Sequence, residues 1–134
     1  MATSIVTYSG NLRTTAVHLA SGTTIITDAP VDNQGKGEAF SPTDLVATSY
    51  ASCMLTIMGI GALSRGFSID GTTAEVTKVM GNNPRRIVGI IVKFKFSKNN
   101  FTEKQKEFFK FVSETCPVSK SLHPEIKQSV NFEF

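Results

Sequence analysis

The sequence predicts an α+β protein. Three observations lead to this class: short segments of alternating β-branched residues open the chain, a long uncharged segment in the middle carries the signals of a helix, and strand patterns return on both sides of a second helix. With 134 residues, the chain is expected to form a single domain, 1–134, around one core.

The N-terminal part is predicted to be an antiparallel β-meander. Residues 4–8, 14–19 and 23–27 are short runs rich in β-branched side chains, and the Ala-Ser-Gly sequence at 20–22 predicts a hairpin turn between the last two. Residues 28–40 contain proline and glycine and have little periodicity, which indicates a loop. Loops of this length are often functional.

A long helix is predicted to begin at Ser41. Ser41 suits the N-cap, Pro42 suits the first helical position, and Asp44 lies in the first turn, where a carboxylate is stabilised by the helix dipole. The pair Arg65-Gly66 is a typical stop signal.

The segment 45–64 of this helix carries no charged residue and is long enough to cross a bilayer. Polar residues and glycines interrupt it throughout, which favours the central helix of a globular protein over a membrane span. We therefore expect a central helix that is buried on all sides, and no membrane partner.

Two strands, 72–80 and 86–97, are predicted after the helix, and the sequence Gly-Asn-Asn-Pro between them indicates a turn. The second strand alternates apolar residues with lysines. We interpret this as a core face and a solvated face rather than a nucleic-acid-binding surface, because no nucleic-acid motif accompanies it and the net charge of +3 is small. The inward positions are Val88, Ile90, Val92, Phe94 and Phe96.

A second helix is predicted from a capping box at 102–105, with an apolar face of Phe108, Val112 and Cys116. Pro117 cannot continue a helix, so Cys116 is expected to end one element and to cap a new short helix at 117–122. Alternation at 126–134 predicts a closing strand.

The two cysteines are the candidate reactive groups. The N terminus lacks the basic and apolar regions of a secretory signal, so a cytoplasmic location is expected, where a cysteine pair is more often catalytic or metal-binding than a permanent disulfide. Cys53 and Cys116 lie far apart, with only His18 and His123 as further soft ligands, which is not a zinc pattern. We therefore expect a working dithiol, no metal and no cofactor.

Three sequence motifs resemble one known family. Ser-Pro-Thr-Asp-Leu-Val-Ala at 41–47, Tyr-Ala-Ser-Cys at 50–53 and Cys-Pro-Val-Ser-Lys-Ser-Leu at 116–122 are similar to motifs of the OsmC/Ohr family of osmotically inducible and organic-hydroperoxide-resistance proteins. The resemblance covers nearly the whole chain. It implies the OsmC-like fold and an intertwined homodimer in which two central helices form the shared core.

The resemblance also implies a function and a site. It implies thiol-dependent reduction of organic hydroperoxides in oxidative-stress defence, with Cys53 as the peroxidatic thiol, Cys116 as the resolving thiol, and a dithiol such as a lipoyl group as the reductant. Arg13 occupies about the position of the family's catalytic arginine. Arg85 and Arg86 are the alternatives for that role.

Elementary electrostatics assigns the two thiols differently. A helix N-terminus is expected to lower the pKa of Cys116, whereas burial in the middle of a helix is expected to raise the pKa of Cys53. For Cys53 to be the peroxidatic thiol, a nearby cation such as Arg13 is therefore needed to favour its thiolate.

One departure from the family pattern concerns a carboxylate. Members with hydroperoxide activity carry a glutamate directly after the motif proline, where this chain has Thr43, and Asp44 is the nearest carboxylate. This resembles the OsmC-like branch, and it leaves an alternative function: a non-peroxidase dimer that binds a small hydrophobic molecule. In a regular helix, Asp44 and Cys53 are about half a turn out of phase and roughly 13.5 Å apart along the axis. A catalytic Asp44 is therefore predicted to come from the partner subunit.

Overall fold

The α+β class is confirmed, because two small three-stranded sheets accompany one long helix and two shorter ones. The structure is a computed structural model that describes residues 1–98 and 100–134. It contains two compact units, Met1–Leu45 and Val46–Phe134.

The first unit contains the predicted meander. Strands β1 (Ser4–Gly10), β2 (Arg13–His18) and β3 (Thr24–Asp28) pair in that order, each antiparallel to the next. The turn between β2 and β3 is confirmed: Gly22 has a φ of +76° and its N–H donates to the carbonyl of His18 at 2.8 Å.

The meander leaves much of its apolar surface exposed. Ile5 and Val6 on β1, and Ile25 and Ile26 on β3, are between 41% and 61% exposed. Neighbouring residues of a strand point to opposite faces, so apolar side chains are exposed on both faces of this sheet. Exposed apolar surface of this kind typically marks an interaction surface.

Helix α1 (Pro42–Ser64) begins and ends as predicted. At its start, the N–H of Asp44 donates to Ser41 Oγ and the N–H of Ser41 donates to Asp44 Oδ2, both at 3.0 Å, which is a reciprocal cap. At its end, Gly66 has a φ of +80° and its N–H donates to the carbonyl of Leu63, while the N–H of Phe67 donates to that of Ala62. This pair of bonds is a Schellman motif.

The expectation that α1 is buried on all sides is wrong for the single chain. Ile60 and Leu63 are 63% and 74% exposed, although the helix is long and apolar enough to cross a membrane by length and composition. The core of the second unit covers only one stripe of the helix, at helical spacing. The buried residues of that stripe are Ala47, Tyr50, Ala51, Met54, Met58 and Ala62.

The second sheet has the order β4-β5-β6 and mixes two kinds of pairing. Strand β4 (Thr73–Gly81) is antiparallel to β5 (Arg86–Lys95), and β6 (Lys127–Glu133) is parallel to β5. The predicted inward residues Ile90, Val92, Phe94 and Phe96 are all buried.

Val88 differs from the prediction, because it is only half-buried and Ile87 is buried in its place. Val79 pairs with Gly89 and Met80 pairs with Ile87, so Val88 is the extra residue of a β-bulge. The bulge changes the phase of the alternation at the start of β5.

Helix α2 (Glu103–Ser113) begins with the predicted capping box, in which Thr102 and Gln105 bond reciprocally. Phe109 and Val112 form its buried face, whereas Phe108 is half-buried. The inclusion of Cys116 in this face is wrong, because α2 ends three residues before it. The other prediction for Cys116 is confirmed: it is the N-cap of α3 (Pro117–Ser121).

Candidate functional site

The two cysteines come together in the second unit. Cys53 lies on α1, Cys116 lies at the start of α3, and both are free. The Cys53 thiol lies close enough to Cys116 to help raise the pKa of the Cys116 thiol. Cys116 is completely buried, whereas Cys53 is half-buried. Within this pair, Cys53 is therefore the more exposed residue.

The pKa of Cys116 is raised, which contradicts the expectation from its helix-terminal position. Burial is the main cause, and the neighbouring Cys53 thiol adds to it. The backbone N–H groups of Ser119 and Val118 act in the opposite direction but do not outweigh burial. The expectation that Cys53 is buried is also wrong, since it is half-buried.

A short hydrogen-bond network surrounds the Cys116 sulfur. The N–H of Ser119 donates to Cys116 Sγ at 3.5 Å. Ser119 is in turn bonded twice by Gln128 of β6: Ser119 Oγ donates to Gln128 Oε1, and Gln128 Nε2 donates to the carbonyl of Ser119 at 3.1 Å. The available sequence signal for this network was Gln128 itself, a polar residue in the same alternating row of the last strand as Val130 and Phe132.

Tyr50 is a buried neighbour of the cysteine pair that the sequence reasoning missed. It lies one helical turn before Cys53 on α1 and is 2% exposed. Burial raises its pKa, a charge on Cys116 would raise it further, and the side chain of Ser119 lowers it. The phenol therefore remains protonated beside the network. Its spacing of three residues from Cys53 was the available sequence signal.

An open groove of about 600 Å³ lies beside Tyr50 and Ser119. The buried Cys116 is not among the residues that line this groove. Both polar and apolar side chains line the groove: Tyr50, Lys110, Ser113, Glu114, Ser119, Lys120, Gln128, Val130 and Phe132.

Arg13 lies on β2 in the first unit, where it forms a bidentate ion pair. Its Nε donates to Asp28 Oδ1 at 2.7 Å and its Nη2 donates to Asp28 Oδ2 at 2.8 Å, with Glu38 Oε1 at 3.6 Å from Nη2. The hydrogen bond with Arg13 lowers the pKa of Asp28, although burial of that carboxylate opposes the shift. Asp28 Oδ2 also accepts from the N–H of Glu38, which ties the two ends of the loop together.

The sequence reasoning missed both acidic partners of Arg13. Asp28 is the last residue of β3 and pairs across the sheet with Arg13, whereas Glu38 lies in the following loop. A hairpin register places cross-strand partners opposite each other, so the signal was present once the turn had been placed.

The other predicted site residues also have structural contacts. Asp44 completes the cap at the start of α1, and the hydroxyl of Thr43 lies 3.2 Å from Ser41 Oγ. Arg86 Nη1 forms an ion pair with Glu125 Oε2 at 3.2 Å. Within residues 1–98 and 100–134, no three His, Cys, Asp or Glu side chains are grouped as metal ligands would be.

A protein-family model and several solved structures are similar to this chain. The family model described as OsmC-like protein matches residues 35–131. A crystal structure of a provisionally assigned osmotic stress induced and detoxification response protein from Psychrobacter arcticus 273-4 is 57% identical, with a TM-score of 0.96 over 99% of this chain and 96% of that chain. No curated protein matches the sequence.

Two more distant structures share the fold. An OsmC like protein from Mycoplasma pneumoniae is 22% identical, with a TM-score of 0.76 over 96% of this chain and 93% of that one. The organic hydroperoxide resistance protein OhrB of Bacillus subtilis is 16% identical, with a TM-score of 0.65 over 98% of both chains. At these identities, the similarity supports the fold alone.

Proposed function

Because the chain belongs to the OsmC-like protein family, we propose that it is a thiol-dependent peroxidase that reduces organic hydroperoxides in oxidative-stress defence. The observation that carries this proposal is the pairing of a half-buried Cys53 with a fully buried Cys116. Structurally similar proteins include ones described as organic hydroperoxide resistance proteins, which agrees with this assignment.

The proposed cycle uses both sulfurs. The Cys53 thiolate attacks one peroxide oxygen, the O–O bond breaks, and the alkoxide leaves and takes up a proton to become an alcohol. The sulfenic acid on Cys53 then reacts with the Cys116 thiol, which forms a disulfide and releases water. A dithiol, such as a dihydrolipoyl group, reduces the disulfide and is itself oxidised to a cyclic disulfide.

The surroundings of Cys53 favour an organic substrate. Cys53 packs against the hydrophobic core of the second unit. An apolar approach to the sulfur favours a hydroperoxide with an apolar substituent over hydrogen peroxide. A cytoplasmic location, which would keep both thiols reduced between turnovers, is part of the proposal.

Arg13 and Asp44 are retained as proposed catalytic residues of a homodimer. The exposed apolar faces of the meander and of α1 support dimerisation, because such faces are normally covered in solution. Asp44 would act on the Cys53 of the partner subunit, as the helix geometry requires. Arg13 would bring a cation whose orientation is already fixed by its bidentate bond to Asp28.

A second candidate function is a non-peroxidase dimer that binds a small hydrophobic molecule. One observation favours it: the charged groups proposed to activate Cys53 already have structural roles, Arg13 with Asp28 and Asp44 in the helix cap. In this case Cys53 would lack an activating cation and would remain a thiol in the presence of peroxide.

A titration with cumene hydroperoxide distinguishes the two functions. The reduced wild type should lose both thiols and two protons in mass after one equivalent. Cys53→Ser should not consume peroxide, and Cys116→Ser should consume about one equivalent and retain a sulfenic acid on Cys53. If the wild type keeps both thiols, the peroxidase proposal fails. If Cys53→Ser reacts and Cys116→Ser does not, the roles of the two sulfurs are reversed.

A further inference from the structure

Gln128 is an amide side chain with an unusual position. It lies on β6 at a half-buried, inward-facing site, in the same alternating row as Val130 and Phe132. Within residues 1–98 and 100–134, both hydrogen bonds of its side chain go to one residue, Ser119 of α3. A polar side chain at such a position is expected to have a specific role, because burying it without partners would be costly.

The two bonds fix both the amide and the serine. Gln128 Nε2 donates to the carbonyl of Ser119 at 3.1 Å, so the amide oxygen is the end that accepts the hydrogen bond from the Ser119 hydroxyl. The Gln128 side chain thus bonds both the side chain and the backbone carbonyl of Ser119. We call this pair of bonds the Gln128–Ser119 clamp.

The clamp connects the second sheet to the buried sulfur. The N–H of Ser119 donates to Cys116 Sγ at 3.5 Å, and this bond favours the thiolate. Helix α3 has only five residues, so it has little cumulative dipole of its own. The two bonds from Gln128 hold Ser119, and with it the direction of its N–H, in addition to the backbone hydrogen bonds of this short helix.

Other titratable groups near Cys116 lie on neighbouring elements. Cys53 and Tyr50 of α1 both interact with it, and neither is a cation. Lys110 and Glu114 of α2, together with Lys120 of α3, line the groove beside Ser119. The contacts that favour the Cys116 thiolate come from backbone N–H groups at the start of α3, which makes their orientation decisive.

We propose that Gln128 is a positioning residue that holds the Ser119 N–H on the Cys116 sulfur and so sets the rate at which Cys116 resolves a sulfenic acid on Cys53. This inference rests on the proposed function for its kinetic consequence. In the resolving step, Cys116 first ionises, its thiolate attacks the Cys53 sulfur, the S–O bond breaks, and the released hydroxide combines with the proton that Cys116 lost on ionising to form water.

The first test measures the two chemical steps separately in Gln128→Leu. Formation of the sulfenic acid, followed in a Cys116→Ser background, should stay within about twofold of the parent. Disulfide formation after one equivalent of cumene hydroperoxide should slow roughly tenfold, as expected for the loss of one thiolate-directed hydrogen bond. The matched control is Asn131→Leu, which places the same change on the exposed side of β6.

Ser119→Ala tests one bond of the clamp. This variant loses the hydroxyl donated to Gln128 but keeps the backbone carbonyl that accepts from Nε2. Its resolving rate should therefore fall less than that of Gln128→Leu. Ser121→Ala is the control on the same helix, because its hydroxyl donates only to the carbonyl of Pro117.

The second test does not depend on peroxide. In a Cys53→Ser background, the rate at which methyl methanethiosulfonate modifies Cys116 is measured as a function of pH. Gln128→Leu should move the midpoint of this curve to higher pH, since the thiolate loses a donor. A general loss of stability that leaves the hydrogen bond to Cys116 intact would lower the melting temperature but would not move this midpoint.

The outcomes separate this inference from the proposed function. If the wild type forms no disulfide with peroxide but Gln128→Leu still shifts the Cys116 midpoint upward, the peroxidase proposal fails and the clamp stands. If Gln128→Leu resolves at the parental rate, or leaves the midpoint unchanged, the clamp is overturned. Equal slowing by Asn131→Leu would also overturn it, because the effect would then be general to β6.

Discussion

The raised pKa of Cys116 makes a direct prediction about which sulfur reacts first. In the experiment, the reduced wild-type protein is alkylated with iodoacetamide at a series of pH values. Because burial lifts the Cys116 pKa above its usual 9.0, less than about 1% of this thiol is ionised at pH 7.0. The rate of alkylation at Cys116 should therefore rise about tenfold per pH unit up to at least pH 9.

Mass spectrometry of the two cysteine-containing peptides measures the rate of alkylation at each cysteine as a function of pH. Cys53, which is half-buried, should be labelled before the completely buried Cys116 at pH 7.0. Labelling in concentrated guanidinium chloride is the control, because unfolding removes the burial and should return Cys116 to the ordinary thiol value.

One result would refute the reasoning. A plateau of the Cys116 rate below pH 9 would mean that the N–H groups of Ser119 and Val118 outweigh burial. In that case the helix-terminal argument would hold after all, and Cys116 would become the candidate for the attacking sulfur.

Three further predictions concern stability and assembly. Asp28→Asn should lower the melting temperature at neutral pH, and this loss should shrink as the pH falls below about 3.8 towards the lowered pKa of folded Asp28, because the stabilisation is fully present above the unfolded pKa and disappears as the folded carboxyl is protonated; a loss that does not change with pH would contradict this. Phe109→Ala should lower the free energy of unfolding by about 3–5 kcal/mol, whereas Phe111→Ala, which is exposed on the same helix, should cost far less. Replacing Ile60 and Leu63 by lysine should convert a dimer into a monomer in sedimentation, and an unchanged sedimentation coefficient would remove α1 from the proposed interface.

Local signals predicted the elements of this fold well. Capping residues, helix stops and turns act over a few residues, so the start of α1 at Pro42, its end just before the Arg65-Gly66 stop signal and the capping box of α2 followed from the sequence alone. The inclusion of Cys116 in the face of α2 failed for a related reason. Helical spacing was extended past the point where the helix ends at Ser113.

Contacts between distant segments were harder to predict. Arg13 and Asp28 are brought together by strand register, and Gln128 reaches Ser119 from a parallel strand. The bulge at Val88 depends on how two strands pair, which the alternation of one strand does not reveal. The same holds for burial, because the half-exposed state of Cys53 depends on which face of α1 the core covers.

The positions of Arg13 and Asp44 bear on how Cys53 could be activated. Each carries a charge that the first unit already uses: the Arg13 guanidinium holds Asp28 in a bidentate pair, and one oxygen of Asp44 closes the cap with Ser41. A bidentate pair keeps a guanidinium in a fixed orientation without removing its positive charge. In the proposed site, Arg13 would therefore serve two roles at once, as a tie for the loop and as a fixed cation for a thiolate. Asp44 cannot reach its own Cys53 along a regular helix. A catalytic carboxylate at this position consequently requires a second chain, which makes the oligomeric state the measurement on which the role of Asp44 depends.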